Sequence, residues 1–248
     1  MASSADEMIL PGKRALITGG SRGIGRAIAA AYAQAGARVF ICGRNIADVE
    51  DALRDIRARG GEIDGVAGDI SRAGDVQRIV RAALESFGAI DVLVNNAGIL
   101  GPREPIAEYP REAWEEVIRI NLTGLFLITR EVLPAMLARR SGSIINVTSG
   151  VGRAGKANWG AYAVSKAGLE GFTQVLAEEV KSAGIRVSAV NPAATRTQMR
   201  ARAYPAEDPM TLPLPHEVVP IFVHLASDAS KEITGQSLNA RDWLGKIV

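Results

Sequence analysis

The chain has 248 residues, of which 47% are hydrophobic and 23% are charged, the usual balance of a globular protein. This length allows one domain, or at most two, with a sizeable core. The net charge of +2 gives no electrostatic basis for binding nucleic acid or an anionic membrane surface. A single cysteine, Cys42, and two histidines predict neither an internal disulfide nor a metal site, and they suit a cytoplasmic protein.

Residues 1 to 12 contain Ser, Asp, Glu and a Pro-Gly pair, without a basic region followed by an apolar core. This segment is predicted to be a short disordered or surface lead-in and not a signal peptide. The domain itself is predicted to span residues 13 to 248. No apolar run approaches the length that spans a bilayer, so we expect a soluble protein without a membrane partner.

Short apolar runs rich in β-forming residues alternate with amphipathic helical patterns along the chain. The predicted strands are 14–18, 38–42, 63–67, 90–95, 143–148 and 185–191, with a last edge strand at about 236–240. Ser71 is a predicted helix N-cap, and Gly36 and Gly88 are predicted helix ends. The alternation predicts an α/β doubly wound fold, a parallel sheet with helices on both faces and ligands at the carboxyl ends of the strands.

The first predicted strand leads directly into a glycine-rich turn, Thr18-Gly-Gly-Ser-Arg-Gly-Ile-Gly25, and a helix follows. Glycines permit a tight turn and a close backbone approach, and a helix N-terminus offers free N–H groups to a pyrophosphate. The spacing differs from Gly-x-Gly-x-x-Gly, but its position after the first strand favours phosphate binding over a simple turn.

Tyr162 and Lys166 lie four residues apart and therefore share one face of a predicted helix. A nearby ammonium group favours the phenolate form and so lowers the pKa of a tyrosine, which would make Tyr162 an acid/base near neutral pH. Such a pair is also common on protein surfaces, so the spacing alone is weak evidence.

Further motifs accompany this pair. They are the turn from Thr18 to Gly25, Asn95-Asn96-Ala97-Gly98, Ser149 thirteen positions before Tyr162, and Asn121 within Ile120-Asn-Leu-Thr-Gly124. On these motifs the chain resembles the short-chain dehydrogenase/reductases, from about Lys13 to Gly235. The resemblance implies a single-domain Rossmann fold that binds a nicotinamide cofactor.

The resemblance also implies catalytic roles. Tyr162 would be the general acid/base at the carbonyl or hydroxyl oxygen, and Ser149 would donate a hydrogen bond to that oxygen. Lys166 would lower the pKa of Tyr162 and hold the nicotinamide ribose, while Asn121 would anchor a water in a proton relay. On the residues alone, the favoured interpretation is a strand-end serine that caps a turn for Ser149 and a helix-kink asparagine for Asn121.

The same resemblance implies a set of cofactor-binding residues in the turns after the strands. They are Thr18, Gly19, Ser21, Arg22, Gly23, Ile24, Gly25, Arg44, Asn45, Asp69, Ile70, Asn95, Ala97, Gly98, Tyr162, Lys166, Pro192 and Thr197. Asp69 equally suits an acceptor in a turn.

The cofactor is predicted to be NADP(H). An acid after the second strand normally accepts the ribose 2′-hydroxyl, whereas arginine accommodates a 2′-phosphate. Gly43 occupies the place expected for the acid, Arg44 follows it, and Arg22 lies in the glycine turn. Two guanidinium groups can bind a phosphate, although each arginine alone also suits a solvated surface.

The chain departs from the family in three places. Ala193 stands where the family usually has glycine, which would strain the backbone if a positive φ is needed there. Residues 198 to 215, the predicted substrate lid, are short and rich in proline, without a clear periodicity. The segment around Trp243 also differs and is predicted to pack in an oligomer interface or to close a neighbouring site.

The sequence therefore predicts an oxidoreductase that acts on a small-molecule carbonyl/alcohol pair, with 3-oxoacyl-[acyl-carrier-protein] reduction as the most specific activity that the resemblance implies. The helices at about 114–136 and 160–180 are more apolar than one sheet face needs, and the resemblance implies that they pair subunits in a homodimer or homotetramer. A fully intramolecular core is the alternative to this pairing. The alternative is a non-catalytic NADPH-binding or scaffold module, which would need no complete set of proton-transfer residues.

Overall fold

A computed structural model describes residues 9–246 as one seven-stranded parallel sheet covered by helices on both faces. The strands, in chain order, are β1 (Arg14–Thr18), β2 (Arg38–Gly43), β3 (Ile63–Ala67), β4 (Val92–Asn95), β5 (Gly142–Val147), β6 (Ile185–Asn191) and β7 (Ser237–Asn239). Their order in the sheet is β3-β2-β1-β4-β5-β6-β7. The order reverses between β1 and β4, so a ligand crevice is expected at the carboxyl ends of these two strands.

The helices connect successive strands, as the alternating sequence pattern predicted. They are α1 (Gly23–Gln34), α2 (Ile46–Ala58), α3 (Ala73–Phe87), α4 (Arg111–Ile118), α5 (Gly124–Arg139), α6 (Gly150–Arg153), α7 (Gly160–Val180), α8 (Gln198–Ala203) and α9 (Pro220–Ala226). One π-helical turn, Arg119–Thr123, joins α4 to α5. The doubly wound α/β fold is confirmed, with strand ends shifted by two residues or fewer.

Two apolar cores lie on opposite faces of the sheet. One is formed by α1, α2 and α9, and the other by α3, α5 and α7. The buried face of α3 contains Val76, Ile79, Val80, Ala83 and Phe87, in agreement with the predicted helical spacing. Strands that are covered on both faces read as nearly continuous apolar runs, which is why the sequence located them well.

The helix ends agree with the sequence at two positions and differ at a third. Gly36 has φ 91° just beyond the end of α1, and Gly88 has φ 77° as the C-cap of α3. Ser71 is not an N-cap, because Arg72 occupies that position and makes no side-chain capping bond. The Ser71 hydroxyl instead donates to Asp69 Oδ1 at 2.7 Å.

Residues 9 to 12, which the sequence analysis assigned to the lead-in, pack against the folded domain. Leu10 is fully buried in the first core, and its backbone N–H donates to the Ala35 carbonyl at 2.9 Å. Gly12 bonds in the same way to Gly36. The part of residues 1 to 12 that the structure describes, 9–12, therefore belongs to the folded domain, and residues 1–8 and 247–248 lie outside the described range.

The run Arg111–Arg139 is, by length and composition, the one described helical segment long enough to cross a membrane, with a mean hydropathy of 1.3 in its most apolar window. The sequence expectation that no segment reaches this length is therefore wrong, because the π-helical turn joins α4 and α5 into 29 continuous residues. In the structure 44% of that window is buried, and the run packs on α3 and α7. Core helices of globular proteins have the same composition.

The predicted lid is more regular than its sequence suggested. Gln198–Ala203 forms α8. Thr197 is its N-cap, and Thr197 Oγ1 accepts a hydrogen bond from the Arg200 N–H at 3.1 Å. A 3₁₀ turn follows at Pro209–Thr211. Six residues are too few to give an amphipathic period, so the sequence pattern did not reveal this helix.

Candidate active site

The glycine turn after β1 is held by close approaches that only glycine permits. A Cβ at Gly25 would lie 2.2 Å from the Gly19 carbonyl oxygen, and a Cβ at Gly19 would lie 3.0 Å from Ala97 Cα. Gly19 and Gly23 also have positive φ values of 64° and 56°. The turn is thus compact and lies directly against the loop that follows β4.

Thr18 and Asn96 fix this turn to the neighbouring loop. Thr18 Oγ1 accepts the backbone N–H groups of Asn96 and Ala97, each at 3.1 Å. Asn96 Nδ2 donates to the carbonyl oxygens of Thr18 and Gly19, each at 3.0 Å. Thr18 is fully buried, so its side chain shapes the turn, and Asn96 is a second shaping residue that the predicted set omitted.

The N-terminus of α1 presents backbone N–H groups to the crevice. Arg22 is its N-cap and makes no side-chain capping bond, and the first turn contains no acidic residue. A helix start without a side-chain cap or a local acid is suited to bind an anion. Ser21 is buried just before this helix start. Gly43, the last residue of β2, packs so closely on it that a Cβ at Gly43 would lie 2.7 Å from Ser21 Oγ.

The carboxyl end of β2 carries the arginine and asparagine that the sequence assigned to the cofactor. The Arg44 side chain is exposed, while Arg22 is also exposed and its Nη1 lies 3.9 Å from Asp48 Oδ2. Asn45 Oδ1 accepts the Ala47 N–H at 2.9 Å and is the N-cap of α2. The two guanidinium groups are therefore accessible, whereas the Asn45 side chain is engaged in capping.

Asp69 and Asn95 have structural bonds of their own. Asp69 Oδ1 accepts the Ser71 N–H at 2.9 Å, which is the turn role left open by the sequence. Burial raises the pKa of Asp69, but the hydrogen bonds from Ser71 and the charges of Arg119 and Arg44 together keep that pKa below its ordinary value. Asn95 is buried, and its Nδ2 donates to Thr129 Oγ1 and Asn146 Oδ1, so its side chain points into the helix layer and not toward the crevice.

Three further predicted cofactor residues lie after β3, after β4 and at the start of α1. Ile70 is buried against Gly124, where a Cβ would lie 2.9 Å from Ile70 Cγ1. Gly98 lies beside Asn121 and Lys166, because a Cβ built on it would be 3.2 Å from Asn121 Oδ1 and 3.8 Å from Lys166 Nζ. Ile24 is the second residue of α1, immediately inside the open N-terminus.

Tyr162 and Ser149 come from different elements and meet at their hydroxyl groups. Ser149 precedes α6 at the carboxyl end of β5, and Tyr162 lies in the first turn of α7. The Ser149 side chain is within bonding reach of the Tyr162 hydroxyl, and this contact offsets part of the rise that burial causes in the pKa of Tyr162. The ring of Trp159 packs against Tyr162 with 5.6 Å between centroids and forms one wall of the site.

Lys166 and Asn121 lie near Tyr162, and backbone groups hold both side chains in place. Lys166 is buried, and its Nζ donates to the Val147 carbonyl at 2.7 Å. Asn121 lies in the π-helical turn, where its Oδ1 accepts the Ile99 N–H at 2.8 Å and its Nδ2 donates to the Ile99 carbonyl at 2.9 Å. The wider turn thus directs Asn121 at the β4 loop instead of along the helix.

The electrostatics of the pair differ from the sequence expectation. Burial raises the pKa of Tyr162 to about 12, despite the bond from Ser149. Burial also lowers the pKa of Lys166 to about 8, against the favourable charge of Glu170. The expected lowering of the pKa of Tyr162 by Lys166 is therefore not seen, because Lys166 Nζ bonds to Val147 and lies 5.7 Å from the centre of the Tyr162 ring.

The segment after β6 closes the crevice from the other side. Ala193 has φ 59°, so the backbone there is left-handed and alanine is strained, as the sequence anticipated for a glycine position. Pro192 is buried, and Thr197 Cγ2 lies 3.8 Å from the position of a Cβ on Gly23. The start of α8 therefore stands next to the glycine turn.

Comparison with known proteins agrees with this geometry. Residues 13–208 match the sequence profile of the short chain dehydrogenases. The chain is 37% identical over 233 residues to the oxidoreductase YciK of Escherichia coli K12, covering 91% of this chain and 90% of the relative. It is 40% identical over 233 residues to a 3-oxoacyl-[acyl-carrier-protein] reductase of Synechocystis, covering 91% and 94%. This chain belongs to the short-chain dehydrogenase/reductase family.

Solved structures of short-chain dehydrogenases share the whole fold. One from Shigella flexneri, complexed with NADP, has a TM-score of 0.91 at 36% identity and covers 95% of this chain and 100% of its own. Another from Escherichia coli CFT073, complexed with NADPH, has the same score and identity and covers 96% and 100%. The parallel sheet and both helix layers are thus those of a Rossmann-fold dehydrogenase.

The crevice of this short-chain dehydrogenase/reductase suits a dinucleotide. The open N-terminus of α1 offers N–H donors to a pyrophosphate, and the glycine turn leaves no side chain between backbone and ligand. Arg22 and Arg44 lie at the carboxyl ends of β1 and β2, and position 43, where an acid would stand, is a glycine. The residues present fit NADP(H).

Proposed function

We propose that this protein is an NADP(H)-dependent oxidoreductase that interconverts a carbonyl group and an alcohol on a small molecule. The observation that carries the proposal is the meeting of Tyr162, Ser149, Lys166 and Asn121 at one end of the crevice, although they come from separate elements. Family membership supplies the general class of chemistry, and these four residues supply a route for the proton.

The cofactor is NADP(H), which two structural relatives contain. When bound, it supplies or accepts a hydride at the nicotinamide ring. The α1 N-terminus and the turn from Gly19 to Gly25 would hold the pyrophosphate, and Arg22 and Arg44 would hold the 2′-phosphate. Pro192 and Thr197 would border the nicotinamide end.

Tyr162 is the proton donor in the direction of carbonyl reduction. With a pKa of about 12, its phenol carries a proton at neutral pH and can donate it to a developing alkoxide. Ser149 donates a second hydrogen bond at the same place. Lys166, with a pKa of about 8, is positively charged at pH 7 and would hold the nicotinamide ribose, the other role that the resemblance implies for it.

Asn121 positions the proton-transfer residues. Its amide bonds to both backbone groups of Ile99 and to Ser165 Oγ at 3.1 Å, and Ser165 Oγ in turn donates to the Tyr162 carbonyl at 2.8 Å. These bonds join the β4 loop, the π-helical turn and α7. Asn121 therefore holds the loop at Gly98 against Lys166, where a water in a proton relay would be bound.

A 3-oxoacyl thioester is the substrate class that the relatives favour, since one of them is named as a 3-oxoacyl-[acyl-carrier-protein] reductase. Other ketones remain the alternative, because substrate choice in a shared fold depends on the site and not on the fold. We infer a cytoplasmic homodimer or homotetramer. Apolar side chains exposed on α5 and α7 support the assembly, namely Phe126, Leu137, Val164 and Val175.

The decisive test is oxidation of NADPH across a panel of ketones and 3-oxoacyl thioesters, with Tyr162→Phe beside the parent. Loss of the proton donor is expected to lower kcat by about 10²- to 10⁴-fold. Tyr32→Phe is the matched control, because it removes a phenol that donates to the Phe222 carbonyl at 2.8 Å, far from the crevice. It is expected to lower stability and to keep kcat.

Two outcomes would contradict the proposal. A Tyr162→Phe enzyme as active as the parent would show that the proton comes from elsewhere. A parent that binds NADPH but reduces no member of the panel would favour a non-catalytic NADPH-binding module instead.

A further inference from the structure

Arg103, Trp159 and Tyr204 form a stack between the active site and the lid, which we call the Arg103 stack. The Arg103 guanidinium carbon lies 4.8 Å from the centre of the Trp159 ring and 4.8 Å from the centre of the Tyr204 ring. Arg103 Nη1 also donates to the carbonyl of Ala203, the last residue of α8. The stack therefore joins the loop after β4, the start of α7 and the end of the lid helix.

This stack is continuous with the proton donor. Trp159 packs on Tyr162 with 5.6 Å between ring centroids and on Tyr204 with 6.0 Å. One aromatic wall thus runs from the Tyr162 ring to the lid. A molecule whose carbonyl oxygen reaches the Tyr162 hydroxyl has this wall beside it.

The charge along the wall is positive. Lys156 Nζ donates to the Tyr204 hydroxyl at 3.0 Å, and Arg200 lies 3.9 Å from the centre of the Tyr204 ring. Arg200 is neutralised by Glu207 through two bonds of 2.6 Å. Arg103 and Lys156 have no ion pair within residues 9–246, so two positive charges remain at the wall.

Buried N–H donors in the stack also lack acceptors. Trp159 is 93% buried, since its relative exposure is 7%, and its Nε1 has no hydrogen-bond partner among the described residues. Arg103 Nε is buried and likewise without a partner there. Buried donors in proteins are nearly always satisfied, so acceptor atoms from a bound molecule would complete this site.

We propose that Arg103 and Lys156 bind a negatively charged group of the substrate, a carboxylate or a phosphate, along the aromatic wall of Trp159 and Tyr204. Guanidinium and ammonium groups form strong charge-assisted hydrogen bonds with both anions. The inference rests on the proposed carbonyl/alcohol activity and adds to it the charge of the substrate. The two residues determine specificity and do not transfer the proton.

The test compares neutral and anionic partners that carry the same reacting ketone, and differences in intrinsic reactivity cancel when the ratio is compared between parent and variant. One pair is ethyl acetoacetate and acetoacetate, which tests a carboxylate beside the ketone. The other is the acetoacetyl thioester of N-acetylcysteamine and acetoacetyl-coenzyme A, which tests phosphates on a long arm. For each pair, the ratio of kcat/KM for the anionic member to that for the neutral member is measured with NADPH.

Arg103→Met is expected to lower this ratio by about 10- to 100-fold in one of the two pairs, which also identifies the anion. Lys156→Met should lower the same ratio by a smaller factor, because its side chain is more exposed. Arg103→Lys should restore most of the ratio, since it keeps the charge. A role of Arg103 in holding the lid alone would change both members of a pair equally and leave the ratio unchanged.

Arg202→Met is the matched control. Arg202 is an exposed lid arginine outside the Arg103 stack, so its removal should leave the ratio within about twofold of the parent. If Arg103→Met and Lys156→Met also leave both ratios within that range, the proposed anion site is wrong, while the oxidoreductase proposal is unaffected.

A binding measurement separates this proposal from the activity. Calorimetric titration of butyrate and of 4′-phosphopantetheine into the parent and into an Arg103→Met/Lys156→Met double variant needs no turnover. A dissociation constant raised about tenfold or more for one probe supports the anion site even if every ketone is inert. Absence of binding by the parent, or equal binding by both proteins, overturns it.

Discussion

The glycine turn at Thr18 to Gly25 and the lid at residues 198 to 215 border the same crevice but are held in different ways. The turn depends on backbone contacts so close that a Cβ at Gly25 would lie 2.2 Å from a carbonyl oxygen. The lid depends on side chains, namely the Arg103 stack and the Arg200–Glu207 ion pair. The cofactor side of the site is therefore held by close backbone contacts, and the substrate side is held by contacts between side chains.

This difference indicates where the protein can change. Few other residues can replace glycine where the backbone is packed this closely. Aromatic and charged side chains in a surface lid can be exchanged without altering the fold. Substitutions in the turn should therefore affect folding and cofactor binding together. Substitutions in the lid should alter substrate preference while the fold stays intact.

Gly25→Ala gives the largest expected effect and tests the first half of the comparison. The added methyl group would lie 2.2 Å from Gly19 O and 2.4 Å from Asn96 Nδ2, so the turn must open. We expect the free energy of unfolding to fall by about 3 kcal/mol or more and NADPH binding to be lost. Chemical denaturation and a fluorescence titration with NADPH measure these changes.

Gly74→Ala is the control for this variant, because nothing lies within 4 Å of a Cβ there and the residue is in the first turn of α3. It should increase stability by about 0.5 to 1 kcal/mol. Equal effects of the two substitutions would show that close approach does not hold the turn.

Arg44→Ala tests whether the cofactor side also uses charge. Removal of a guanidinium group from a phosphate is expected to raise the dissociation constant of NADPH by about tenfold or more and to leave that of NADH nearly unchanged. Arg54→Ala, an exposed arginine on α2 paired with Asp51, controls for the loss of one positive charge. Parallel weakening of NADPH and NADH would rule out 2′-phosphate recognition by Arg44.

Lys166→Met tests the burial of Lys166, which lies between the cofactor side and the substrate side of the site. The pKa of Lys166 is lowered from 10.5 to about 8 by burial, so the unfolded chain binds more protons than the folded protein between those values. Stability from this group therefore rises with pH over that window, by up to a few kcal/mol. In the variant the rise should be absent.

The measurement is the difference in unfolding free energy between parent and variant, taken near pH 8 and again near pH 10. Other titrating groups cancel in that difference. A difference that does not vary with pH would mean that Lys166 is not buried as the structure describes.

Ala193→Gly gives the smallest expected effect, at the residue that leads into the lid. Its φ of 59° is costly for alanine, and glycine removes that cost at the expense of more freedom in the unfolded chain. We expect a gain of about 0.5 to 1 kcal/mol and a Tm higher by about 1 to 4 °C. Ala194→Gly, without a positive φ, should give no gain, and a gain there instead would locate the strain wrongly.

The sequence predicted the sheet, its parallel direction and the meeting of Ser149, Tyr162, Lys166 and Asn121 in large part. Buried strands and glycine turns leave strong local patterns, and family motifs link distant segments. It also anticipated the left-handed backbone at Ala193, because a glycine position had been replaced.

Other features depend on contacts between segments that no local pattern records. The pKa of Tyr162 is set by burial and not by the lysine four residues away. Asn96, which fixes the glycine turn, and Asn95, which points into the helix layer, are adjacent and chemically identical in sequence. The Arg103 stack joins residues about a hundred positions apart, so only the folded chain brings them together.

The last strand protects its neighbour β6 from pairing with the strands of other protein molecules. Residues 234 to 239 lie along β6 and occupy its outer hydrogen-bonding groups, with Thr234 Oγ1 accepting the Val187 N–H at 3.1 Å and Gln236 O accepting that of Ala189 at 2.9 Å. The last three of these residues form β7, the short strand at this edge of the sheet. The seven-residue strand β6 is thus not an open edge on which another chain could add, and the edge strand that covers it is very short, which limits aggregation through strand pairing.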